Sequence, residues 1–591
     1  MMTSKLLWDD QYLEDFAKSL QNGCPEQFWE WNQNDELEEL KVKHIRKLMR
    51  NFYPSLGVFN LSVETDQAGR TVSDTQPVFR RGCRIEEVDP DTIHAITKRV
   101  LMMMEQPLGD ELQGLFQGKY EQVWSKSALK GLKVLPNLEP NADTLSTCAR
   151  YFQNGWIEIT KDGVSELKSY DDVDENLIVW NSSVIGRDYV PDAKSVDGNK
   201  VPTHFKDFVR NICSDEFDDD GNALVDQKRL DNIELAIGFL CHRFNQDSNR
   251  RWVVFVDKFY DGVDGNASNG GTGKSVLVKC LSHVMNLVEL SGRTITSKKD
   301  NTNMWSRVNR SHELVLIDDC SKKFPTDLLL TNTTGDFHIE GKYKKGFSIP
   351  AKVAPKIVLT SNFPLEGEGS TFTRRQFVCE ITNFYLVMNE EYDETVNTLH
   401  GYKDLCSDLW NENDWTEFYK YVFECVSKFL KRGGLPSSQE SDFYKRARLI
   451  EQIGNNAIFE YLLERLSEYH RSGEEVFVLK FYADVRSQFP TETMDIKDDK
   501  VFYSWLKAIG KAFNMHVNRH KQGRQDQQRL TTDRWLKWVN QGLEGYKNNA
   551  GNEIKHGDQV SVMRVSSRKR HNGSFYQKPE FNKPDFNKGN Q

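Results

Sequence analysis

One stretch limits the possible folds of this chain more than any other. An apolar strand pattern at Trp252–Val256 runs into a glycine-rich segment, DKFYDGVDGNASNGGTGKS, and then into the helical pattern VLVKCLSHVMNLV. Strand, glycine-rich loop and helix in that order is the local architecture of a phosphate-binding loop. Gly270, Gly271 and Gly273 let the backbone wrap phosphate oxygens with no Cβ in the way. The loop N–H groups and the helix N-terminus add partial positive charge. The loop is expected to comprise Ser268, Asn269, Gly270, Gly271, Thr272, Gly273, Lys274 and Ser275. Lys274 is expected to reach the β- and γ-phosphates of ATP, and Ser275 to hold Mg2+. The usual pattern opens on glycine where Ser268 stands here, but the GTGKS half carries most of the chemistry.

A phosphate-binding loop needs a second strand that ends in a carboxylate to hold the metal. ELVLIDDC supplies it: the apolar run Leu314–Ile317 delivers Asp318 to the strand's C-terminal end, where ligands bind in open α/β sheets. Asp318 is expected in the Mg2+ shell, and Asp319 is expected to orient or deprotonate the attacking water; the two roles could be exchanged. A third apolar strand, KIVLTSN, places Asn362 to hydrogen-bond the γ-phosphate or the water. Arg374 and Arg375 precede the last strand, and an arginine given by a neighbouring subunit stabilises charge in phosphoryl transfer. Between the acidic and asparagine strands lies TGDFHIEGKYKKGFSIP. Lys342, Lys344 and Lys345 crowd its tip with Tyr343 among them, a pattern that neutralises phosphates and stacks on a base.

At 591 residues the chain is too long for one core, and three or four domains are expected. Residues 1–200 read as a mixed, mostly helical domain with strand-like pieces such as Gly155–Thr160. They show no spaced acidic pair plus histidine of the kind a priming polymerase needs for two metals. The consecutive Asp218, Asp219 and Asp220 point different ways on any regular element and read as a solvated loop. Residues 201–245 read as a helical lead-in, 246–390 as an α/β core with a sheet covered on both faces, and 391–471 as helical. Residues 472–545 read as a small module in which helices Leu479–Phe489 and Val501–Phe513 precede a basic two-strand pattern, Met515–Thr531, turning at Gly523. The helices and hairpin resemble a winged helix, with Arg519, Lys521, Arg524 and Arg529 on the wing. Residues 546–591, rich in Asn and Gly, read as a disordered basic tail.

The net charge of −9 does not mark a nucleic-acid binder, although a channel can be basic on an acidic protein. The ten cysteines show no metal-ligand spacing and read as reduced thiols. MMTSKLLWDD lacks an apolar core of signal-peptide length, and no stretch approaches a bilayer span. A soluble, cytoplasmic protein with no membrane partner is expected.

The order GTGKS, LIDDC, TGDFHIEGKYKK, LTSN and paired arginines resembles the superfamily 3 helicases, the viral and phage branch of the hexameric ATPases. More narrowly it resembles the phage and prophage primase-helicases related to the poxvirus primase-helicase. The likeness is good over about 200–385. It is looser before, where FQNGWIEIT and Val179-Trp180-Asn181-Ser182 resemble the domain preceding such helicases. The resemblance implies an AAA+-like P-loop NTPase core and a hexameric ring acting on single-stranded DNA in replication, beside a primase or polymerase. It also implies that the lysine hairpin lines the central channel. A non-unwinding ATPase, a nucleic-acid-binding initiator and an RNA-directed motor remain as alternatives.

Overall fold

The computed structural model describes residues 7–20, 23–67, 70–135, 139–140, 143–174, 177–193, 201–217, 223–246, 250–258, 271–295, 304–321, 324–341, 344–365, 372, 374–436, 442–473, 475–493, 499–513, 515–521 and 561–567. The chain divides between Ser441 and Asp442 into two compact units.

In the first unit, β1 (Val58–Gln67) and β2 (Arg70–Arg81) form a long antiparallel hairpin in register from Val58↔Phe79 to Gln67↔Arg70. β3 (Arg84–Glu87) extends it. Helices pack on the near half of this sheet through Phe28, Trp29, Phe52, Tyr53, Phe79 and Trp124. β4 (Thr147–Phe152) and β5 (Gly155–Thr160) make a second antiparallel pair. The expectation of a mostly helical region over residues 1–200 is therefore corrected: strand matches helix there. The far half of the hairpin sets Glu64, Thr65 and Asp66 against Ser73, Val72 and Thr71. Pairing with little apolar alternation leaves no periodicity to read.

Next come α1 (His204–Asn211) and α2 (Gln227–Leu240), then a five-stranded parallel sheet. Its strands are β6 (Trp252–Asp257), β7 (Leu287–Ser291) and β8 (Leu314–Cys320), followed after a hairpin by two more. The hairpin is β9 (Phe337–Gly341) and β10 (Lys344–Ile349); the last strands are β11 (Lys356–Ser361) and β12 (Gln376–Ile381). The sheet order is β7-β8-β11-β6-β12. All six residues of β6 and of β11 are buried, as expected for central strands covered on both faces. α3 (Lys274–Cys280) starts at the glycine-rich loop, α4 (Phe384–Tyr392) follows the last strand, and α5 (Glu412–Arg432) lies along α2. α2 and α5 approach so closely that a Cβ on Gly238 would lie 2.2 Å from the Cys425 carbonyl oxygen. The hairpin leaves this sheet and joins the other: Phe347 of β10 pairs with Thr65 of β1.

The second unit runs α6 (Asp442–Ile453), α7 (Asn456–Ser472), β13 (Glu475–Phe477), α8 (Val478–Gln488), α9 (Asp499–Ala512), β14 (Met515–Lys521) and β15 (Ser561–Ser567). β15 lies between β13 and β14. One expectation is corrected here. The Met515 strand pairs with Ser561–Ser567, in register from Met515↔Ser567 to Lys521↔Ser561, and the second strand expected beyond Gly523 lies outside the described residues. A strand therefore lies within the stretch read as a disordered tail. SVMRVSS is too polar and too short to announce a strand, and edge pairing on both sides supplies what its composition lacks. Gly523, Arg524 and Arg529 lie outside the described residues.

Candidate nucleotide site

The site is built at the C-terminal ends of β6, β8 and β11. Of the expected loop, Gly271 to Ser275 are described; Ser268, Asn269 and Gly270 lie outside the described residues. Gly271 and Gly273 have φ of +80° and +99°, the left-handed region that glycine alone enters without strain. A Cβ at Gly273 would also meet the Phe208 ring at 2.9 Å, so α1 supports the loop from beneath. α4 closes on it from the other side, with Leu386 3.1 Å from a Cβ built on Gly271.

Lys274 is 6% exposed, and its ammonium donates to Asp257, the last residue of β6. The Thr272 hydroxyl donates to the same oxygen at 2.6 Å and accepts from Lys274 at 3.0 Å. Burial is the largest influence on Lys274 and lowers its pKa, with the Asp257 carboxylate pulling the other way. Asp257 thus serves as the internal counter-ion of a largely buried cation.

Across the sheet, the β8–β11 register holds to Ile317↔Leu359 and resumes at Cys320↔Ser361, so Asp318 and Asp319 form a bulge. Asp318 Oδ1 accepts from the Ser275 hydroxyl at 2.6 Å and from the Thr360 hydroxyl at 2.6 Å. Lys279 stands 3.5 Å from its other oxygen. Burial raises the Asp318 pKa, but the Ser275 and Thr360 hydroxyls and the Lys279 ammonium outweigh it, and the carboxyl stays below the ordinary aspartate value. Asp319 turns outward with φ of +56°; its amide donates to Thr360 Oγ1 at 2.8 Å, and its carboxylate meets Arg293 Nε at 2.5 Å. Asn362 is half-buried just past the end of β11.

Lys274, Ser275, Asp318, Asp319 and Asn362 therefore stand at one edge of one sheet. The arginines stand at the other. β6 and β12 run parallel from Trp252↔Gln376 to Asp257↔Ile381, so Arg374 and Arg375 precede the end opposite the loop. Six strand residues separate them from it, about 20 Å. Arg374 is exposed, whereas Arg375 donates to the Arg250 carbonyl at 2.8 Å. Lys342 and Tyr343 lie outside the described residues; Lys344 and Lys345 are placed in β10 by backbone only.

The sequence reading missed Asp257, Thr360 and Arg293. Asp257 and Thr360 carried a usable signal, since each is the first polar residue after an apolar run at the C-terminal end of its strand. Arg293 carried none. A separate carboxylate–imidazole cluster, Glu30, Glu38 and His44, is bridged by Lys41, Lys43 and Lys47 and is an ion-pair network. Among the described residues no helix is long and apolar enough to cross a membrane.

No family model matches the chain, and no curated protein matches it in sequence. The apo structure of the NrS-1 C-terminal region (305–718) aligns at 13% identity and a TM-score of 0.34, covering 87% of this chain and 97% of that one. Its A-form apo structure aligns with the same identity and TM-score, covering 87% and 98%. A JCV helicase in complex with a substituted N-phenyl acetamide aligns at 12% identity and a TM-score of 0.21, covering 44% and 68%. Likenesses at such TM-scores do not establish a shared fold.

Proposed function

We propose that this chain is an ATP-hydrolysing motor of helicase type that assembles as a hexameric ring and moves along single-stranded DNA in phage or prophage replication, beside a primase or polymerase. The observation that carries this reading is the convergence of Ser275 and Thr360 on Asp318 at the sheet edge from which the Lys274 loop springs. The hydroxyl of Ser275 and the carboxylate of Asp318 are hard oxygen donors that fit Mg2+. When bound, that ion neutralises charge between the β- and γ-phosphates.

The chain's own residues then act as follows. Lys274 exchanges the Asp257 carboxylate for the phosphates. Asn362 orients a water, and Asp319 takes its proton as the water oxygen bonds to the γ-phosphorus. The bridging P–O bond breaks and ADP leaves with the electron pair. Arg374, too far along the sheet to serve its own loop, serves the neighbouring subunit's. Lys342, Lys344 and Lys345 bind backbone phosphates of the strand, with Tyr343 against a base. The core order β7-β8-β11-β6-β12 supports an AAA+-like reading of the core, and the order α7-β13-α8-α9-β14-β15, with β15 central, supports a winged-helix reading of the second unit.

The test is ATP hydrolysis by the full chain with and without single-stranded DNA, followed by fork unwinding with the same preparation. Stimulated hydrolysis with unwinding is expected. Hydrolysis without unwinding assigns the chain to a remodelling ATPase or initiator. Stimulation by RNA alone makes it an RNA motor.

A further inference from the structure

Two basic segments lie side by side in the first unit, far along the chain from the nucleotide site. The first is the helix Val42–Lys47 with its continuation Leu48–Phe52, which winds more widely, by i→i+5 hydrogen bonds. Lys41, Lys43 and Lys47 are engaged by Glu30 and Glu38, but Arg46 and Arg50 stand exposed, four residues apart. The second covers residues 125–135, which carry Lys126, Lys130 and Lys133, all exposed, and no acid. Among the described residues no ion pair engages any of these five cations. The two segments are fixed to each other. Met49 Cγ would lie 3.5 Å from a Cβ on Gly131, and Trp124 Nε1 donates to the Tyr53 hydroxyl at 2.8 Å. One buried asparagine pins residues 129–135 along β1. Asn60 Nδ2 donates to the Leu129 carbonyl at 2.9 Å, and its amide donates to the Lys133 carbonyl at 2.9 Å. Its own carbonyl accepts from the Leu135 amide at 2.8 Å. Ser125 caps the turn that bears Lys126, accepting from the Ala128 amide at 3.2 Å.

Five cations without counter-ions, held on a rigid scaffold, form a local positive field on a chain whose net charge is −9. We propose that this face binds the phosphate backbone of a nucleic-acid duplex. Two observations select a duplex over a single strand. Single strands are gripped by aromatic platforms set among the charges. Here the aromatics in and next to the two segments, Phe52, Tyr53 and Trp124, are turned inward, at 0%, 0% and 1% exposed. Charge alone is left outside, and a duplex presents a phosphate every ~1.7 Å of its axis, twice the density of one strand. Phosphate contacts carry no base information, so binding is independent of sequence. The contact is additional to the strand contact given to the lysine hairpin, and it holds whether or not the chain hydrolyses ATP.

The experiment titrates the full chain with a labelled duplex of mixed sequence and with oligo-dT over a range of salt. Every chain carries Lys507→Ala and Lys511→Ala, which remove exposed lysines of α9 in the second unit. On that background stand the triple Lys126→Ala/Lys130→Ala/Lys133→Ala and the double Arg46→Ala/Arg50→Ala. A control triple, Lys161→Ala/Lys420→Ala/Lys431→Ala, removes the same charge from exposed positions elsewhere in the first unit. The patch triple is expected to weaken duplex binding on the order of 100-fold at low salt and to lower the salt slope by about 2.7, at about 0.9 per phosphate. The double variant lowers it by about 1.8. The control triple stays near the parent, and all unfolding midpoints match. A patch triple with unchanged affinity and slope overturns the proposal, and so does an equal loss in the control triple, which makes net charge the cause. A loss confined to oligo-dT overturns the choice of a duplex. A parent chain that shows the patch effect but hydrolyses no ATP fails the motor reading alone.

Discussion

Ser275 Oγ lies 2.6 Å from Asp318 Oδ1, joining the first turn of the helix after the glycine-rich loop to the acidic end of β8. Thr360, on the strand between β6 and β8, closes the same carboxylate oxygen from the other side. Thr360→Val should therefore weaken Mg2+-dependent hydrolysis by about 10- to 100-fold, the usual cost of losing a partner that orients a metal ligand. Lys274→Ala should abolish turnover, and Asp319→Asn should keep Mg2+-nucleotide binding while stopping hydrolysis. Nucleotide titration against turnover for the three variants checks this; loss of binding in Asp319→Asn would mean the two carboxylates have exchanged roles.

The arginine pair separates into two roles. Arg375→Ala removes a side-chain hydrogen bond to the Arg250 carbonyl and should cost about 1 kcal/mol of stability. Arg374→Ala removes an exposed side chain, so its unfolding midpoint should match the parent while hydrolysis falls by about 10³ or more. Mixing Arg374→Ala with Lys274→Ala should restore partial activity in shared rings. If co-assembly is confirmed and no mixing ratio recovers activity, Arg374 does not act between subunits.

α9 buries Phe502, Trp505, Leu506 and Ile509 and exposes Lys500, Ser504, Lys507 and Lys511, which fall on one face at spacings of four, three and four. Under the winged-helix reading proposed above, this face is expected to meet duplex phosphates. Lys507→Ala with Lys511→Ala should weaken duplex binding similarly for all sequences and reduce the salt slope by nearly two, since about 0.9 counter-ion is released per phosphate neutralised. Removing residues 472–591 should do so more strongly. Unchanged affinity and slope in both would rule the module out as a duplex contact.

His242, His312 and His400 are each lowered from 6.5 to about 4, chiefly by burial. The unfolded chain binds more protons than the folded one between those values, so stability is complete above pH 6.5 and is lost as the pH falls toward 4. The melting temperature of the first unit should drop by about 5 °C or more across that window. His400→Gln, which keeps an acceptor for the Tyr385 hydroxyl, should shrink the drop. A flat melting temperature from pH 6.5 to 4 would contradict burial as the cause.

The parts legible in the sequence are those whose physics is local. GTGKS needs only its own glycines and the helix it starts to make a tight turn, and Gly271 and Gly273 take the left-handed angles that require glycine. Continuous apolar runs became β6, β8, β11 and β12, because strands buried on both faces show no polar alternation. Helices read at Leu479–Phe489 and Val501–Phe513 stand at Val478–Gln488 and Asp499–Ala512, since a 3.6-residue period is written in a single segment. What only the tertiary structure decided depends on neighbours remote in the chain. The sheet order puts Thr360 beside Asp318, and the close fit at Gly292 brings Arg293 onto Asp319. The polar far half of β1–β2 and the partnership of Met515 with Ser567 are held by backbone pairing, which any sequence can offer and none announces. The arginines were read from their place before a strand, but parallel pairing with β6 set them at the far end of the sheet from their own loop. Backbone hydrogen bonds and close packing are properties of pairs of segments, and a single segment carries no record of its partner.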